Sequence, residues 1–305
     1  MNKVNIILGP TSSGKTSLVV DLCKKLNGEI ISADSRQIYK HMDVGTGKKP
    51  IKTDIDIKKG ENHWILNGIK VWGYDLVDPN TYYSAYDYAV FAINKIKEII
   101  ESGKNPFLVG GTGFYINIVT GDVMTDQTPP DFKLREVLEN YSKEQLKEEL
   151  EKINPELALK TDLMNPVRMI RAIEKTKSTI KREPLELLKD VEFTKIGLIA
   201  SRSYLYERVD SWVEDIWKKG LLEETKWLME SEFSNSDKLK GLVYKTAVGY
   251  LKKEVEEKEA IEKTKHDLHA YIRRQQTYFK KMKDISWIDI EQDNKFETVY
   301  NIANG

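Results

Sequence analysis

The chain has 305 residues, of which 40% are hydrophobic and 31% charged, and its formal net charge is zero. That composition excludes a largely disordered chain and predicts a soluble, globular protein of one large or two modest domains. Zero net charge gives no globally basic surface, so a polyanion would have to be met by local patches balanced by acid elsewhere. The single cysteine, Cys23, cannot close an internal disulfide or anchor a cysteine zinc site. Set among Val20, Leu22 and Leu26, it is expected to be a buried apolar side chain. No apolar run approaches the ~18 residues that span a bilayer. Met1 to Val4 lead straight into a strand-like run without a signal peptide's pattern, so a cytoplasmic protein with no membrane partner is expected.

Val4 to Leu8 is a short apolar run that predicts a buried parallel strand, ending at Gly9-Pro10. Residues 16–26 follow at helical spacing, with Leu18, Val19, Leu22 and Leu26 on one face. Glu29 to Ala33 predicts a second strand ending at Asp34, which completes a βαβ unit and implies a parallel sheet. A helix over 84–102 presents Tyr88, Ala89, Ala92, Ile93 and Ile96 to a core, and Asn105 to Val109 reads as a third strand running into Gly110-Gly111-Thr112-Gly113. A further strand is expected over 194–200. Between them, residues 125–190 open with Thr128-Pro129-Pro130 and turn charged and helical over 133–153 and 165–177. Residues 203–282 are helical again, and a strand at 287–290 is the one element expected beyond them. The layout is an α/β P-loop core with a parallel sheet and flanking helices, formed by 1–124 and 191–305, and a small helical insertion at 125–190.

Gly9-Pro10-Thr11-Ser12-Ser13-Gly14-Lys15-Thr16 matches the phosphate-loop pattern Gly-x4-Gly-Lys-Ser/Thr in full, with a strand before it and a helix after. Glycines allow backbone angles that aim successive N–H groups at one anion, and the helix start adds its positive end. Lys15 would neutralise phosphate oxygens and Thr16 is placed to ligate Mg²⁺. The pattern assigns a phosphorylated ligand but no reaction, because the same cradle serves hydrolysis, phosphoryl transfer or the holding of a diphosphate.

Asp34 ends a strand of the sheet, on the side where open parallel sheets bind ligands. There it could hold Mg²⁺ through water or take a proton as a general base, or else cap a helix starting at residue 35. Thr112 could bond a substrate amine or phosphate, or be a bystander in a tight turn. His41, His63, His266 and His269 lack metal-site spacing. The run from Tyr271 to Lys281 mixes Arg273, Arg274, Lys280 and Lys281 with aromatics on a predicted helix, and Pro166 to Arg171 offers a smaller basic face. Cations can meet RNA phosphates and aromatics can stack on splayed bases, although a solvated amphipathic helix carries the same residues.

These motifs converge. GPTSSGKT (9–16), ISADSRQIYKHMDVGTGK (31–48), DLVDPNTYYS (75–84), LVGGTGFYI (108–116), NPVRMIRAIE (165–174), SRSYLYERVD (201–210), AVGYLKKE (247–254) and RRQQTYF (273–279) stand in the order found in bacterial tRNA dimethylallyltransferases, also called tRNA isopentenyltransferases, and the chain resembles that family over most of residues 1–280. Two departures stand out. Residues 68–74 carry no histidine where the family has a histidine pair, and Val167 replaces the first of two paired arginines.

The resemblance implies a P-loop α/β fold with an inserted helical domain. It implies Mg²⁺ as cofactor, and dimethylallyl diphosphate and the tRNA anticodon stem-loop as partners, with a monomer as the default. Dimethylallyl diphosphate would sit on Gly9, Pro10, Thr11, Ser12, Ser13, Gly14, Lys15 and Thr16. The acceptor would be the adenosine just 3′ of the anticodon, extruded into the site. By the same resemblance Asp34 is the general base, Thr112 contacts the target adenosine, and Arg202 joins Lys15 and Thr16 in stabilising the departing diphosphate. Ser35, Arg36 and Gln37 fall on the stretch that reads the acceptor base, and Arg135, Arg168, Arg273, Arg274, Lys280 and Lys281 on RNA-contacting regions. The competing expectations are an isopentenyltransferase acting on free AMP and a P-loop kinase or ATPase, although no strand is seen that ends in a clear Walker-B aspartate.

Overall fold

The computed structural model describes residues 2–51 and 55–305; Met1, where the N-terminal expectation begins, lies outside them. The chain divides into two compact units, residues 1–123 with 187–305, and residues 124–186.

The first unit is built on one sheet of eight strands in the order β3-β4-β5-β2-β6-β1-β7-β8. β1 (Asn2–Leu8) is an interior strand, parallel to β6 (Asn105–Gly110) on one side and β7 (Val191–Ile199) on the other. β2 (Gly28–Ser32) pairs with the far side of β6, and β8 (Ile285–Asp289) with the far side of β7, both parallel. Val4, Ile6, Ile7 and Leu8 are fully buried, as an interior strand covered on both faces requires. The chain leaves β1 for β2 on one side and reaches β7 on the other. The end of β1 is therefore the switch point where α/β sheets open a crevice.

The α/β core holds as read, but the sheet is mixed. β3 (Ile57–Gly60), β4 (His63–Leu66) and β5 (Ile69–Trp72) form an antiparallel meander whose last strand joins β2 in parallel. None of the three was expected. Their signal is the Asn67-Gly68 pair, both at positive φ (48° and 84°), between two alternating runs, the preferred chemistry of a two-residue hairpin turn.

α1 (Lys15–Leu26) buries Val19, Val20, Leu22 and Cys23. Cys23 is 1% exposed, and burial first, with the Glu29 carboxylate second, pushes its thiol pKa far up, so it is an inert apolar side chain. α2 (Ala85–Glu101) starts at a capping box made by Ser84 and Asp87. α3 (Gly113–Thr120) follows the glycine turn after β6. Of the later helices of this unit, α8 (Arg202–Lys218) and α11 (Glu257–Phe279) flank the site, α9 (Leu221–Glu230) and α10 (Leu242–Leu251) brace it, and α12 (Lys295–Asn304) is a terminal helix that the sequence pattern did not predict. Among the described residues no helix is long and apolar enough to cross a membrane.

Residues 124–186 hold α4 (Phe132–Leu138), α5 (Lys143–Ile153), α6 (Pro155–Lys160) and α7 (Pro166–Lys177) around Leu138, Leu146, Leu150, Met169, Ile170 and Ile173. The expected helix over 133–153 is two helices. Ser142 caps a new start with its hydroxyl on the Gln145 N–H while Gln145 reaches back, a reciprocal cap that outcompetes continuation. Glu174 is fully buried in this unit, accepting from Arg135 Nε at 2.6 Å, Arg135 Nη2 at 2.8 Å, Arg171 Nη1 at 3.1 Å and the Asp131 N–H at 2.9 Å. Burial alone would raise its pKa, but these donors, Arg135 foremost, hold it below the usual range.

Candidate active site

The phosphate loop takes its shape from how β1 ends. Gly9 leaves the strand against β7, where a Cβ would lie 2.9 Å from the Leu198 carbonyl oxygen. Ser12 and Gly14 adopt φ of 63° and 77°, which turns the chain into α1 at Lys15. The first turn of α1 has neither an acidic residue nor a side-chain cap, so its N–H groups and dipole are left for an anion. Lys15 Nζ donates to the carbonyl oxygens of Gly9 at 2.9 Å and Pro10 at 2.7 Å, and lies 3.3 Å from Ser13 Oγ. Burial of the ammonium pulls its pKa from 10.5 down to about 8, against an upward pull from the Asp34 carboxylate.

A cavity of about 240 Å³ opens over the loop. Ser12, Lys15 and Thr16 line one side, Ser32, Asp34, Gln37 and Tyr74 another, and Trp212 and Gln275 close it. No helix starts at residue 35: Asp34 Oδ1 accepts the Arg36 N–H at 2.9 Å and the Gln37 N–H approaches the Asp34 carbonyl at 3.3 Å, so the carboxylate caps a turn. Its second oxygen meets no protein donor among the described residues. Gln37 has both ends of its amide used, accepting from Ser32 Oγ at 2.8 Å and donating to the Thr46 carbonyl at 3.3 Å.

The loop beyond Asp34 is anchored by a half-buried carboxylate, Glu224, and a buried ammonium, Lys48. Glu224 on α9 accepts the N–H groups of Asp43 at 2.7 Å, Val44 at 2.8 Å and Gly45 at 3.0 Å, and the Tyr244 hydroxyl at 2.7 Å. Gly45 must be glycine, since a Cβ there would lie 2.6 Å from the Tyr244 ring. Lys48, 1% exposed, pairs with Asp43 at 2.7 Å and with Asp75, and donates to the Tyr39 carbonyl at 2.6 Å.

A second chamber of about 280 Å³ opens on the same segment, lined by Ser35, Arg36, Tyr39, Tyr83, Tyr115 and Tyr244 and sharing Thr46 with the first. The Arg36 guanidinium has no hydrogen bond or ion pair among the described residues. Thr112 stands behind this wall: its Oγ1 accepts the Ser35 N–H at 3.0 Å and its own N–H goes to the Ala33 carbonyl at 3.0 Å. The glycines around it serve close packing. A Cβ on Gly110 would lie 2.0 Å from the Ala33 carbonyl oxygen and one on Gly113 2.6 Å from the Tyr278 ring.

The stretch from residue 34 to residue 46 thus touches both a phosphate cavity and a polar, aromatic chamber. A family model described as IPP transferase matches residues 37–282. The chain belongs to the IPP transferase family. It is 37% identical to the tRNA dimethylallyltransferase of Acetivibrio thermocellus over 310 residues, covering 98% of this chain and 95% of that protein. It is likewise 37% identical to that of Finegoldia magna, covering 99% and 95%. The crystal structure of the full-length tRNA isopentenylpyrophosphate transferase from Bacillus halodurans superposes with a TM-score of 0.71 at 32% identity, over 100% of this chain and 96% of that one. A eukaryotic dimethylallyltransferase acting on tRNA superposes with a TM-score of 0.77 at 25% identity, over 99% and 78%.

In this IPP transferase the residues expected to form the site are only partly brought together. Lys15, Thr16, Asp34 and Gln37 share the first cavity, and Ser35 and Arg36 line the second. Arg202 does not line either; it is exposed at the start of α8, with Nε 3.3 Å from Gln276 Oε1. The arginine at the loop is Arg208, whose Nε donates to the Ser12 carbonyl at 2.8 Å. Six residues separate the two, which sets them about 120° apart around the helix, and the same SRSYLYERVD run contains both. Gln275, Trp212 and Glu224 were not expected at the site either. Arg273, Arg274 and Lys281 line an open groove on α11 with Thr277 and Tyr278, and Lys280 is exposed beside it. Arg168 is exposed and 3.2 Å from Asp162, whereas Arg135 is committed to Glu174.

The donor set for Mg²⁺ fits a metal held mainly by its ligand. Among the described residues no group of three or more His, Cys, Asp or Glu could hold a metal. The Thr16 hydroxyl, without a protein partner among them, and the free Asp34 oxygen are hard donors facing the phosphate cavity. Mg²⁺ favours such sites, with substrate phosphates and water completing its shell.

Proposed function

We propose that this chain transfers a dimethylallyl group from dimethylallyl diphosphate to the exocyclic N6 amine of the adenosine just 3′ of the anticodon in tRNA. The observation that carries this reading is the sharing of one cavity by Lys15, Thr16 and Asp34, with the aromatic chamber opening on Ser35 and Arg36 next in the chain. The diphosphate rests on the loop N–H groups and on Lys15, with Arg208 bracing the loop from outside. Thr16 would hold Mg²⁺, where it supplies charge neutralisation to the diphosphate, and the free Asp34 oxygen stays available to the amine. The acceptor adenine enters from the aromatic chamber, stacked against tyrosine rings.

The N6 lone pair attacks C1 of the allyl group, a C–N bond forms and the C1–O bond breaks. Its electron pair leaves on the diphosphate, and the proton lost from the amine passes to the Asp34 carboxylate and on to solvent. Donors fixed before the reaction stabilise the departing charge without having to reorganise, which is the main source of rate in such a site. Thr112 acts through Ser35, whose N–H it holds, and orients the turn that carries Asp34.

Incubating the protein with Mg²⁺, dimethylallyl diphosphate and unmodified tRNA, then digesting and weighing the nucleosides, should reveal isopentenyladenosine. Asp34→Asn should lower turnover by about 10²–10⁴-fold with tRNA affinity retained. Prenylation of free AMP at the rate seen with tRNA, or tRNA-independent ATP hydrolysis in place of transfer, would overturn the reading.

A further inference from the structure

Gln275 lies on the inner face of α11, 6% exposed, between the two turns that build the site. Its Oε1 accepts the Thr11 N–H of the phosphate loop at 2.9 Å, and its Nε2 donates to the Gly111 carbonyl at 3.0 Å. Gly111 makes the room, since a Cβ there would lie 2.4 Å from Gln275 Nε2. An amide suits the position because it offers one acceptor and one donor without charge. A carboxylate would leave the Gly111 carbonyl unpaired and set a negative charge beside the anion cradle. Two residues earlier and six later, Arg273 and Lys281 turn outward to the open groove of α11.

We propose that Gln275 is a positioning residue for the transfer, which holds the phosphate loop in its anion-binding shape from the same helix that offers its outer face to RNA. The proposal rests on the prenyl-transfer reading for the identity of the two ligands. Thr11 stands two residues after Gly9, before the N–H groups of the α1 turn, so fixing its N–H fixes the backbone that leads into the rest of the loop. Loss of the bridge leaves a donor and an acceptor buried and unpaired at the edge of the anion cradle.

The test is calorimetric binding of inorganic pyrophosphate with Mg²⁺ to the full chain, beside binding of an unmodified anticodon stem-loop RNA. Gln275→Met keeps the volume and removes both hydrogen bonds. It should weaken pyrophosphate binding about tenfold and raise KM for dimethylallyl diphosphate to match, with RNA affinity and KM for RNA unchanged. Gln275→Leu, which also removes both hydrogen bonds and adds no charge, gives the same split should the Met variant fail to fold. A packing role alone would lower Tm and leave pyrophosphate affinity unmoved. Affinity within twofold of the parent, or equal losses for pyrophosphate and RNA, would overturn the proposal. A parent protein that binds no pyrophosphate would instead overturn the diphosphate reading beneath it.

Discussion

Lys15 should make diphosphate binding take up protons. Burial sets its pKa near 8, so about a tenth of the molecules carry a neutral Lys15 at pH 7, half at pH 8 and nine-tenths at pH 9. A bound polyanion favours the ammonium and pulls the missing proton in. Affinity should therefore fall by about twofold at pH 8 and about elevenfold at pH 9 relative to full protonation, with an uptake of about 0.5 proton per site at pH 8. Titration calorimetry of Mg²⁺-pyrophosphate in two buffers of different ionisation enthalpy reads the proton number directly. Lys15→Arg keeps a permanent charge and reports the ligand's own titration, which is subtracted. The same depressed pKa works against the fold at neutral pH by about 3 kcal/mol. That loss is relieved as pH rises from about 8 towards 10.5, because the unfolded chain keeps its proton longer. Equal proton uptake and equal pH slopes for the parent and Lys15→Arg would refute the reasoning.

Replacing Arg273, Arg274 and Lys281 together with alanine should weaken anticodon stem-loop binding and reduce the slope of log K against log salt by about 0.7–0.9 for each phosphate no longer neutralised; an unchanged slope in filter-binding or anisotropy titrations would remove the α11 groove from the interface. Arg135→Ala should destabilise residues 124–186 by about 1.5–3 kcal/mol, because it removes the two shortest of the four hydrogen bonds to buried Glu174 and leaves Arg171 and the Asp131 N–H. Arg168→Ala should stay within about 0.5 kcal/mol of the parent, its exposed pair with Asp162 being worth little. Limited proteolysis and thermal melts separate the two, and equal melts would show that Glu174 finds other partners.

The phosphate loop was legible because its eight residues are contiguous and its geometry is local: glycines, a strand before and a helix start after. Asp34 was legible in part. Its place at a strand end could be read, while its capping of a turn in place of a helix is decided by the anchoring of the following loop by Glu224 and Lys48. The meander over 57–72 has a local signal in Asn67-Gly68, and the break between α4 and α5 another in the Ser142–Gln145 cap, but each is short and is outweighed by the longer runs around it. Arg135 shows the limit of residue type, for a cation in a basic-looking segment proved to be the counter-ion of a buried carboxylate.

Short-range pattern alone determined that the chain folds as an α/β protein around an anion-binding loop, because strand and helix periods and the glycine spacing are properties of neighbouring residues. Only the tertiary structure decided which side chains serve that loop. Arg208 and Gln275 reach it from 196 and 264 residues away, and only the packing of α8 and α11 against the sheet decides which of their polar residues turn inward and which meet water.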